Sequence, residues 1–174
     1  VIKALYEGFQ CKVICGEHTS SSFRVQTGVK LGCVLSPTLF ILAVDWLMKE
    51  ATSDKRRGLQ WTLDTVLEDL DFADDICLLS SSQKDMQDKI NKLTQNANNI
   101  GLKINVGKTK LMKQNVNNRN VLRVDSKLVE EVNEFVYLGS RVVENGDSTE
   151  DINSRLTRAN QAFAMLQNIW KSKK

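Results

Sequence analysis

The sequence has no long apolar run, little net charge, four cysteines and a single histidine. None of its apolar stretches is long enough to cross a bilayer, and its first residues do not resemble a secretory signal. The formal net charge of +3 is too small to indicate or to exclude a nucleic-acid partner. Only the tail at 171–174 is locally basic. We therefore expect an intracellular protein whose partners are not set by overall charge.

The few thiols and the one histidine give little support to a zinc site. Cys11, Cys15 and His18 lie close together, but their spacing fits no common zinc pattern, and Cys33 would have to arrive from elsewhere. Cys77 follows much later. Reduced, mostly buried thiols in an intracellular protein are the better interpretation.

What the chain does have is an ordinary globular composition. Of its 174 residues, 41% are apolar and 26% are charged, which suffices for one compact domain with its own core, or a domain with an appendage. Because the chain begins at Val1 rather than at methionine, we expect it to be a piece of something longer.

The stretch Phe72-Ala73-Asp74-Asp75 lies between two apolar runs and predicts a β-hairpin with paired acids at its tip. Two adjacent carboxylates repel each other, so a structure that keeps both ionised usually holds a cation there. Hard oxygen ligands of this kind suit Mg²⁺. The four residues alone are more typical of a solvated turn, because Asp favours turns.

The rest of the pattern alternates helices with short strands. Ser36 and Pro37 suit the N-cap and first residue of an apolar, buried central helix over 39–47. Ser82 and Gly101 suit the two ends of an amphipathic helix. Other predicted elements are a helix over 1–9 with Gly8 at its end, a hairpin over 11–26, and a hairpin over 121–129 with its turn at 125–126. Strands are predicted over 102–105, 109–112, 135–139 and 141–143. The last helix opens at Ser148, with Asp151 three residues on as in a capping box. This order predicts an α+β domain with helices on one face of an antiparallel sheet.

Four segments resemble motifs of reverse transcriptases in the order of that family. Residues 28–40 look like motif B, and Phe72 to Asp75 look like motif C in the form typical of non-LTR (LINE-type) retrotransposons. Residues 101–105 with Lys108 to Lys110 are similar to motif D, and Phe135 to Gly139 are similar to motif E. The resemblance implies a polymerase palm over 1–146, without fingers, and the beginning of a helical thumb over 147–174.

The resemblance also implies a two-metal nucleotidyl transfer with Mg²⁺, or Mn²⁺ in its place. Asp74 would bind metal directly, and Asp75 would be a nearby or alternative ligand or would only shape the turn. Lys108 would neutralise or protonate the departing pyrophosphate.

Further roles follow from the same resemblance. The implied partners are an RNA template, a DNA primer and deoxynucleoside triphosphates, in the nucleus or cytoplasm. Basic residues of the last helix would meet duplex phosphates: Arg155, Arg158, Lys171, Lys173 and Lys174. The template and nucleotide would contact Gly28, Leu31, Gly32, Ser36, Pro37, Phe72 and Ala73. The primer end would be held by Phe135, Tyr137, Leu138 and Gly139.

The chain departs from the family in two places. Motif B normally has glutamine where this chain has Leu31, which cannot make the hydrogen bonds of an amide. Motif A, with the first metal-binding aspartate, would precede Val1. We therefore expect that this polypeptide alone does not extend a primer on an RNA template in Mg²⁺.

Two hypotheses remain open, and a third is weaker. The chain is either part of an RNA-directed DNA polymerase or a catalytically dead nucleic-acid-binding remnant of a decayed element, as Leu31 would suit. A metal-binding or scaffold protein unrelated to polymerases explains Asp74 and Asp75 but leaves the other three motifs unexplained.

Overall fold

The computed structural model describes residues 1–25, 27–53, 56–116 and 120–171, with the backbone only at Asn168. The described chain forms two compact units, 1–103 and 104–174. No helix among the described residues is long and apolar enough to span a membrane. The mixture of helices with small, mostly antiparallel strand pairs confirms the α+β class. The domain boundary expected near residue 147 stays a prediction.

The described residues of the first unit form three helices and four antiparallel strand pairs, β1 with β4, β2 with β3, β5 with β6 and β7 with β8. Its elements are α1 (Ile2–Tyr6), β1 (Gln10–Cys11), β2 (Ile14–Cys15), β3 (His18–Thr19), β4 (Phe23–Arg24), α2 (Leu35–Thr52), β5 (Leu59–Gln60), β6 (Val66–Leu67), β7 (Asp69–Phe72), β8 (Asp75–Leu78) and α3 (Gln83–Asn99).

The core of this unit lies between α2 and α3, which pack against each other. Its buried apolar residues are Val44, Leu47, Met48 and Ala51 from α2 and Ile90, Leu93 and Ala97 from α3. Their spacing places each set on one side of its helix. Burying one such large side chain stabilises a fold by about 1.5–3 kcal/mol. The packing of α2 against α3 therefore forms the hydrophobic core that stabilises the first unit.

In the second unit, the part that the structure describes forms three strand pairs and two helices. These elements are β9 (Lys110–Leu111), β10 (Arg123–Val124), β11 (Lys127–Leu128), β12 (Glu130–Glu131), β13 (Glu134–Tyr137), β14 (Ser140–Val143), α4 (Thr149–Met165) and α5 (Gln167–Trp170). The pair β9 with β12 is parallel, whereas β10 with β11 and β13 with β14 are hairpins. Buried Leu111, Leu122, Val124 and Val129 form its core.

Several predicted ends agree with the structure. Gly8, after α1, and Gly101, after α3, both have positive φ, as helix-ending glycines do. Ser82 is the N-cap of α3, and its hydroxyl accepts from the Asp85 amide at 3.1 Å. The hairpin around 125–126 is also confirmed, because both turn residues have positive φ, as a type I′ turn requires.

Other predictions were wrong. Ser36 is not the N-cap of α2: the helix begins at Leu35, and the Ser36 hydroxyl donates to Lys30 O at 2.5 Å from inside the first turn. The helix is not buried all round either, since Ile41 and Leu42 are exposed. Residues 102–105 form no strand, and the described strands form separate pairs rather than one sheet.

The thiols also differ from expectation. Cys15 is exposed, and Cys11, Cys33 and Cys77 are only half-buried, so the thiols are not mostly buried. All four are free cysteines. Parts of the predicted hairpin (residue 26) and loops (54–55 and 117–119) and the end of the basic tail lie outside the described residues.

One glycine of the first unit is packed against backbone. A Cβ placed on Gly58 would lie 2.0 Å from Leu67 O and 2.8 Å from the Cα of Glu68. No side chain fits at that distance. The backbone at 58 therefore lies directly against the strand that leads into β7.

Candidate metal-binding hairpin and adjoining segments

The acidic turn is the tip of the β7–β8 hairpin. Phe72 pairs with Asp75, which leaves Ala73 and Asp74 as a two-residue turn. Ala73 has a φ of 58°, in the left-handed region that an L residue adopts only at a cost. Both acids are exposed, so their carboxylates can reach a ligand outside the protein. The predicted hairpin with its acids at the tip is present.

The donor set at this tip consists of two carboxylates. Mg²⁺ binds through one or two carboxylates and completes its octahedral shell with water and substrate phosphates, so Asp74 and Asp75 fit such an ion. In the part of the chain that the structure describes, no group of three or more His, Cys, Asp or Glu side chains is placed to hold a metal. Among the described residues, a cation at the tip would therefore be held by Asp74 and Asp75.

Negative charge is concentrated along the hairpin. Glu68, Asp69, Asp71, Asp74 and Asp75 all lie within eight consecutive positions. Burial raises the pKa of Asp69, and the charge of Asp71 raises it further, while Lys89 opposes the shift. Burial, with a smaller effect of Asp69, raises the pKa of the Cys77 thiol.

A buried lysine lies at the other end of the hairpin, away from the turn. Lys89, on α3, is completely buried, and its Nζ donates to Glu68 O at 3.0 Å and to Leu79 O at 2.6 Å. The same Nζ forms an ion pair with Glu68 Oε2 at 2.5 Å. Glu68 and Leu79 are the residues just outside β7 and β8, and the Leu79 amide donates to Glu68 O at 2.9 Å.

The Glu68 carboxylate extends these contacts to the preceding loop. Its Oε1 accepts from the Arg57 amide at 2.8 Å. Burial alone would raise the pKa of Glu68, but hydrogen bonds from Lys89 and from the amides of Gly58 and Arg57 outweigh it, so the pKa is lowered. The carboxylate is therefore held ionised beside the lysine.

The glycine loop before α2 presents its backbone to open space. Gly28 and Gly32 have φ values of 86° and 78°, and a Cβ at either would meet nothing within 4 Å. Leu31, between them, is fully exposed, at 104%. The positive φ explains the two glycines, and the open space leaves their backbone accessible.

Lys30 fastens this loop to α1. Its Nζ donates to Leu5 O at 2.7 Å and lies 4.1 Å from the Phe9 ring centroid and 5.1 Å from that of Tyr6. Buried Ser36, which donates to Lys30 O, also lies 3.4 Å from the Tyr6 hydroxyl. Pro37 is exposed in the first turn of α2. The loop is thus held at its middle and its end.

The remaining predicted site residues lie in the second unit. Lys108 is exposed after a turn in which Asn105 accepts from the amides of Lys108 and Thr109. Phe135 and Tyr137 are half-buried on β13, and Leu138 and Gly139, both with positive φ, form the turn to β14. The predicted hairpin is present.

Asp151 joins this hairpin to α4. Its carboxylate accepts from the Arg141 amide at 2.8 Å and from Arg155 Nε at 2.7 Å, and these bonds lower its pKa. Arg155 also donates to the Ser140 hydroxyl at 2.5 Å. Arg155 is therefore engaged within the unit, whereas Arg158 and Lys171 are exposed.

Sequence reasoning missed Lys89 and Asp151 as organising residues. A signal for Lys89 was available: it falls beside Ile90 on the apolar stripe of α3, where a lysine needs a partner. The spacing of Ser148 and Asp151 predicts a capping pair, but no side-chain cap is formed at Ser148. The partner of Asp151 comes from a different hairpin, which helical periodicity does not reveal.

Comparison with known proteins gives a consistent result. The family model described as reverse transcriptase (RNA-dependent DNA polymerase) matches residues 1–142. A transposon-derived protein of Caenorhabditis elegans is 30% identical over 112 residues, which cover 59% of this chain and 38% of that protein. The retrovirus-related Pol polyprotein from the type-1 retrotransposable element R2 of Popillia japonica is 27% identical over 137 residues, 73% of this chain and 22% of that protein. The chain thus spans less than two fifths of either relative.

Proposed function

Because this chain belongs to the reverse transcriptase family, we propose that it forms the palm and the start of the thumb of an RNA-directed DNA polymerase from a non-LTR retrotransposon. Asp74 binds a catalytic Mg²⁺, and Asp75 is a second or alternative ligand. The observation that carries the proposal is the pair of exposed acids at the tip of a two-stranded hairpin. In a two-metal transfer such ions stabilise the attacking and leaving oxygens.

The glycine loop supplies the contact to template and incoming nucleotide. Open space at Gly28 and Gly32 lets a base pair or sugar approach the backbone closely. Ser36 and Pro37 fix the entry into α2, while Phe72 and Ala73 shape the wall beside the acids. Leu31 contacts the template region by its apolar surface alone.

The second unit supplies two further functions. Lys108 is exposed and carries a mobile ammonium suited to neutralising or protonating the departing pyrophosphate. The β13–β14 hairpin, with Phe135, Tyr137, Leu138 and Gly139, holds the primer end. Arg158 and Lys171 reach duplex phosphates.

A metal titration tests the central step without requiring the complete polymerase. In the 174-residue chain, Mn²⁺ is expected to broaden the amide NMR signals of residues 73–75 at lower concentration than those elsewhere. Asp74→Asn should weaken this effect at least tenfold because a charged ligand is lost. The matched control is Asp64→Asn, which removes another exposed acid of the first unit and should leave the titration unchanged. Equal broadening of the two variants at the turn would contradict the proposal.

A catalytically dead, nucleic-acid-binding remnant is the second candidate, and the exposed apolar Leu31 favours it. Fluorescence anisotropy with an RNA–DNA duplex, measured with and without Mg²⁺, separates the two. Duplex binding that neither Mg²⁺ nor Leu31→Gln changes supports the remnant. Duplex binding that Leu31→Gln strengthens in Mg²⁺ supports the polymerase, because the amide restores hydrogen bonds that leucine cannot make.

A further inference from the structure

The acidic hairpin is closed at the end opposite its turn by one ammonium group. Three oxygen atoms lie within 3.0 Å of Lys89 Nζ: the carbonyls of Glu68 and Leu79 and a carboxylate oxygen of Glu68. The two carbonyls belong to opposite strands. The ammonium donates a hydrogen bond to each carbonyl and forms an ion pair with the carboxylate oxygen.

We propose that Lys89 is a positioning residue for the acidic turn: it fixes both strands of the β7–β8 hairpin on α3, and with them Asp74 and Asp75. The positioning role rests on the proposed metal-binding role of the turn, whereas the closure of the hairpin does not. Because α3 packs against α2, the lysine links the turn to the core of the first unit.

The choice of lysine follows from the surroundings. Among the described residues, β7 and β8 pair only with each other, and an isolated two-stranded hairpin is only marginally stable in water. This hairpin also carries acids that repel one another, Asp69 and Asp71 among them. An apolar side chain would fill the same space, but it would neither bond the two carbonyls nor offset the negative charge.

Glu68 makes the arrangement cooperative. Its carboxylate balances the buried ammonium and at the same time accepts from the Arg57 amide. Burying an unpaired ammonium is costly, and the Glu68 carboxylate and the two carbonyl oxygens together offset that cost. The pair therefore ties together the loop at 57, the base of the hairpin and α3.

The test removes the contacts between Lys89, Glu68 and the two carbonyls, here called the clamp, without changing the net charge. The double variant Glu68→Gln/Lys89→Met takes away one negative and one positive charge together. Its matched control is Asp45→Asn/Lys49→Met, which removes an exposed ion pair on α2 with 2.7 Å between its charged atoms. A change seen only in the first variant then reports geometry rather than charge.

The first readout is amide hydrogen exchange in the full 174-residue chain. In an antiparallel ladder, hydrogen-bonded residue pairs alternate with pairs that are not hydrogen-bonded. Because the Leu79 amide donates to Glu68 O, the hydrogen-bonded pairs farther along the hairpin are Leu70–Cys77 and Phe72–Asp75. In the clamp variant the protection of the Asp75 and Cys77 amides should fall at least tenfold more than that of Val44 and Leu47 in the core. The control variant should stay within twofold. Unchanged hairpin protection in the clamp variant would overturn the proposal.

The second readout is Mn²⁺ binding at the turn, which a merely structural lysine would not affect in a folded variant. The clamp variant should bind Mn²⁺ at least threefold more weakly than the native chain, and equal affinity would overturn the positioning role. If the native chain itself shows no Mn²⁺ effect at residues 73–75, the proposed metal-binding function fails. Closure of the hairpin by Lys89 is then judged by hydrogen exchange alone.

Glu68→Gln alone covers the case in which the double variant does not fold. This variant keeps Lys89 and both carbonyl bonds, so hairpin protection should drop by no more than about threefold. A tenfold or larger loss from Glu68→Gln alone would assign the positioning to the carboxylate and overturn the role of the lysine.

Discussion

Ala73 places an L residue in a left-handed conformation at the tip of the acidic hairpin, with φ of 58°. The left-handed region costs a non-glycine residue about 1–2 kcal/mol, and such strain concentrates at functional turns. The strain is held here because the strands on both sides are paired.

Replacing Ala73 by glycine should raise the free energy of unfolding by up to about 1 kcal/mol, since relief of strain exceeds the added entropy of the unfolded chain. Urea unfolding followed by circular dichroism measures it. The control Ala162→Gly, on an exposed helical position, should destabilise by about 0.5–1 kcal/mol. A loss of stability in the Ala73 variant similar to that of the control would show that the turn is unstrained.

Asp69 has a pKa above its ordinary value, from burial first and from the charge of Asp71 second. A raised pKa in the folded state means that the ionised form is disfavoured there. This unfavourable contribution is absent below the unfolded pKa and complete above the folded pKa.

Asp69→Asn should therefore raise the melting temperature at pH 7, and the gain should shrink as the pH falls toward the ordinary pKa of aspartate. Thermal unfolding between pH 4 and pH 7 measures this difference. Asp64→Asn, at an exposed position, is the control and should change little at either pH. A gain that grows on acidification would have the wrong sign.

At the scale of elements, the start of α3 and the start of α4 differ although both follow a serine. Ser82 accepts from the Asp85 amide, whereas Ser148 makes no side-chain cap, and Asp147 accepts from the Thr149 amide instead. The Asp147 carboxylate has a lowered pKa from its bonds to Thr149. Of these two described helices, α3 alone is therefore capped by its own N-cap side chain.

Ser82→Ala should lower the free energy of unfolding by about 1 kcal/mol, because the Asp85 amide loses its acceptor. Ser148→Ala is the natural control and should stay within about 0.5 kcal/mol. Chemical denaturation of both variants checks the difference. Equal losses of unfolding free energy in the two variants would mean that the hydrogen bond between the Asp85 amide and the Ser82 hydroxyl does not stabilise the fold.

Sequence patterns predicted the features that depend on residues close together in the chain, such as helix ends and tight turns. Gly8, Gly101 and the turn at 125–126 were placed correctly because positive φ leaves a clear signature in residue type. The start of α2 was misplaced because Ser36 finds an acceptor, Lys30 O, that lies in the preceding loop. Contacts that cross between elements, such as Lys89 with Leu79, leave no fixed spacing in the sequence.

At the scale of the whole molecule, the described surface carries many large apolar side chains. Exposed examples are Ile41, Leu42 and Trp46 on α2 and Ile152, Leu156, Phe163 and Ile169 on or near α4. The prediction that the central helix is buried on all sides assumed that every apolar residue of this helix packs against another part of the protein. The family and the acidic hairpin could be predicted from motifs, whereas cover for a helix face depends on neighbours that no motif specifies.

The isolated chain should self-associate at micromolar concentrations, because exposed apolar patches drive association. Ile41→Gln with Phe163→Gln should shift light-scattering mass toward the 19.6 kDa monomer. The melting temperature should stay nearly unchanged, since neither side chain is buried. The core variant Leu47→Gln is the contrasting control and should lower the melting temperature. A native chain that is monomeric at high concentration would contradict this expectation.

The close contact at Gly58 predicts that natural selection should retain glycine at this position. Any added carbon there meets the carbonyl of Leu67 at 2.0 Å, so every codon change away from glycine displaces the strand entering the acidic hairpin. Genomic copies that still encode a working element should retain glycine at this position even where exposed sites such as Leu63 drift. Copies that are no longer under selection should lose the glycine at position 58 as readily as a surface residue. The codon at this position therefore indicates whether a copy still encodes a functional element.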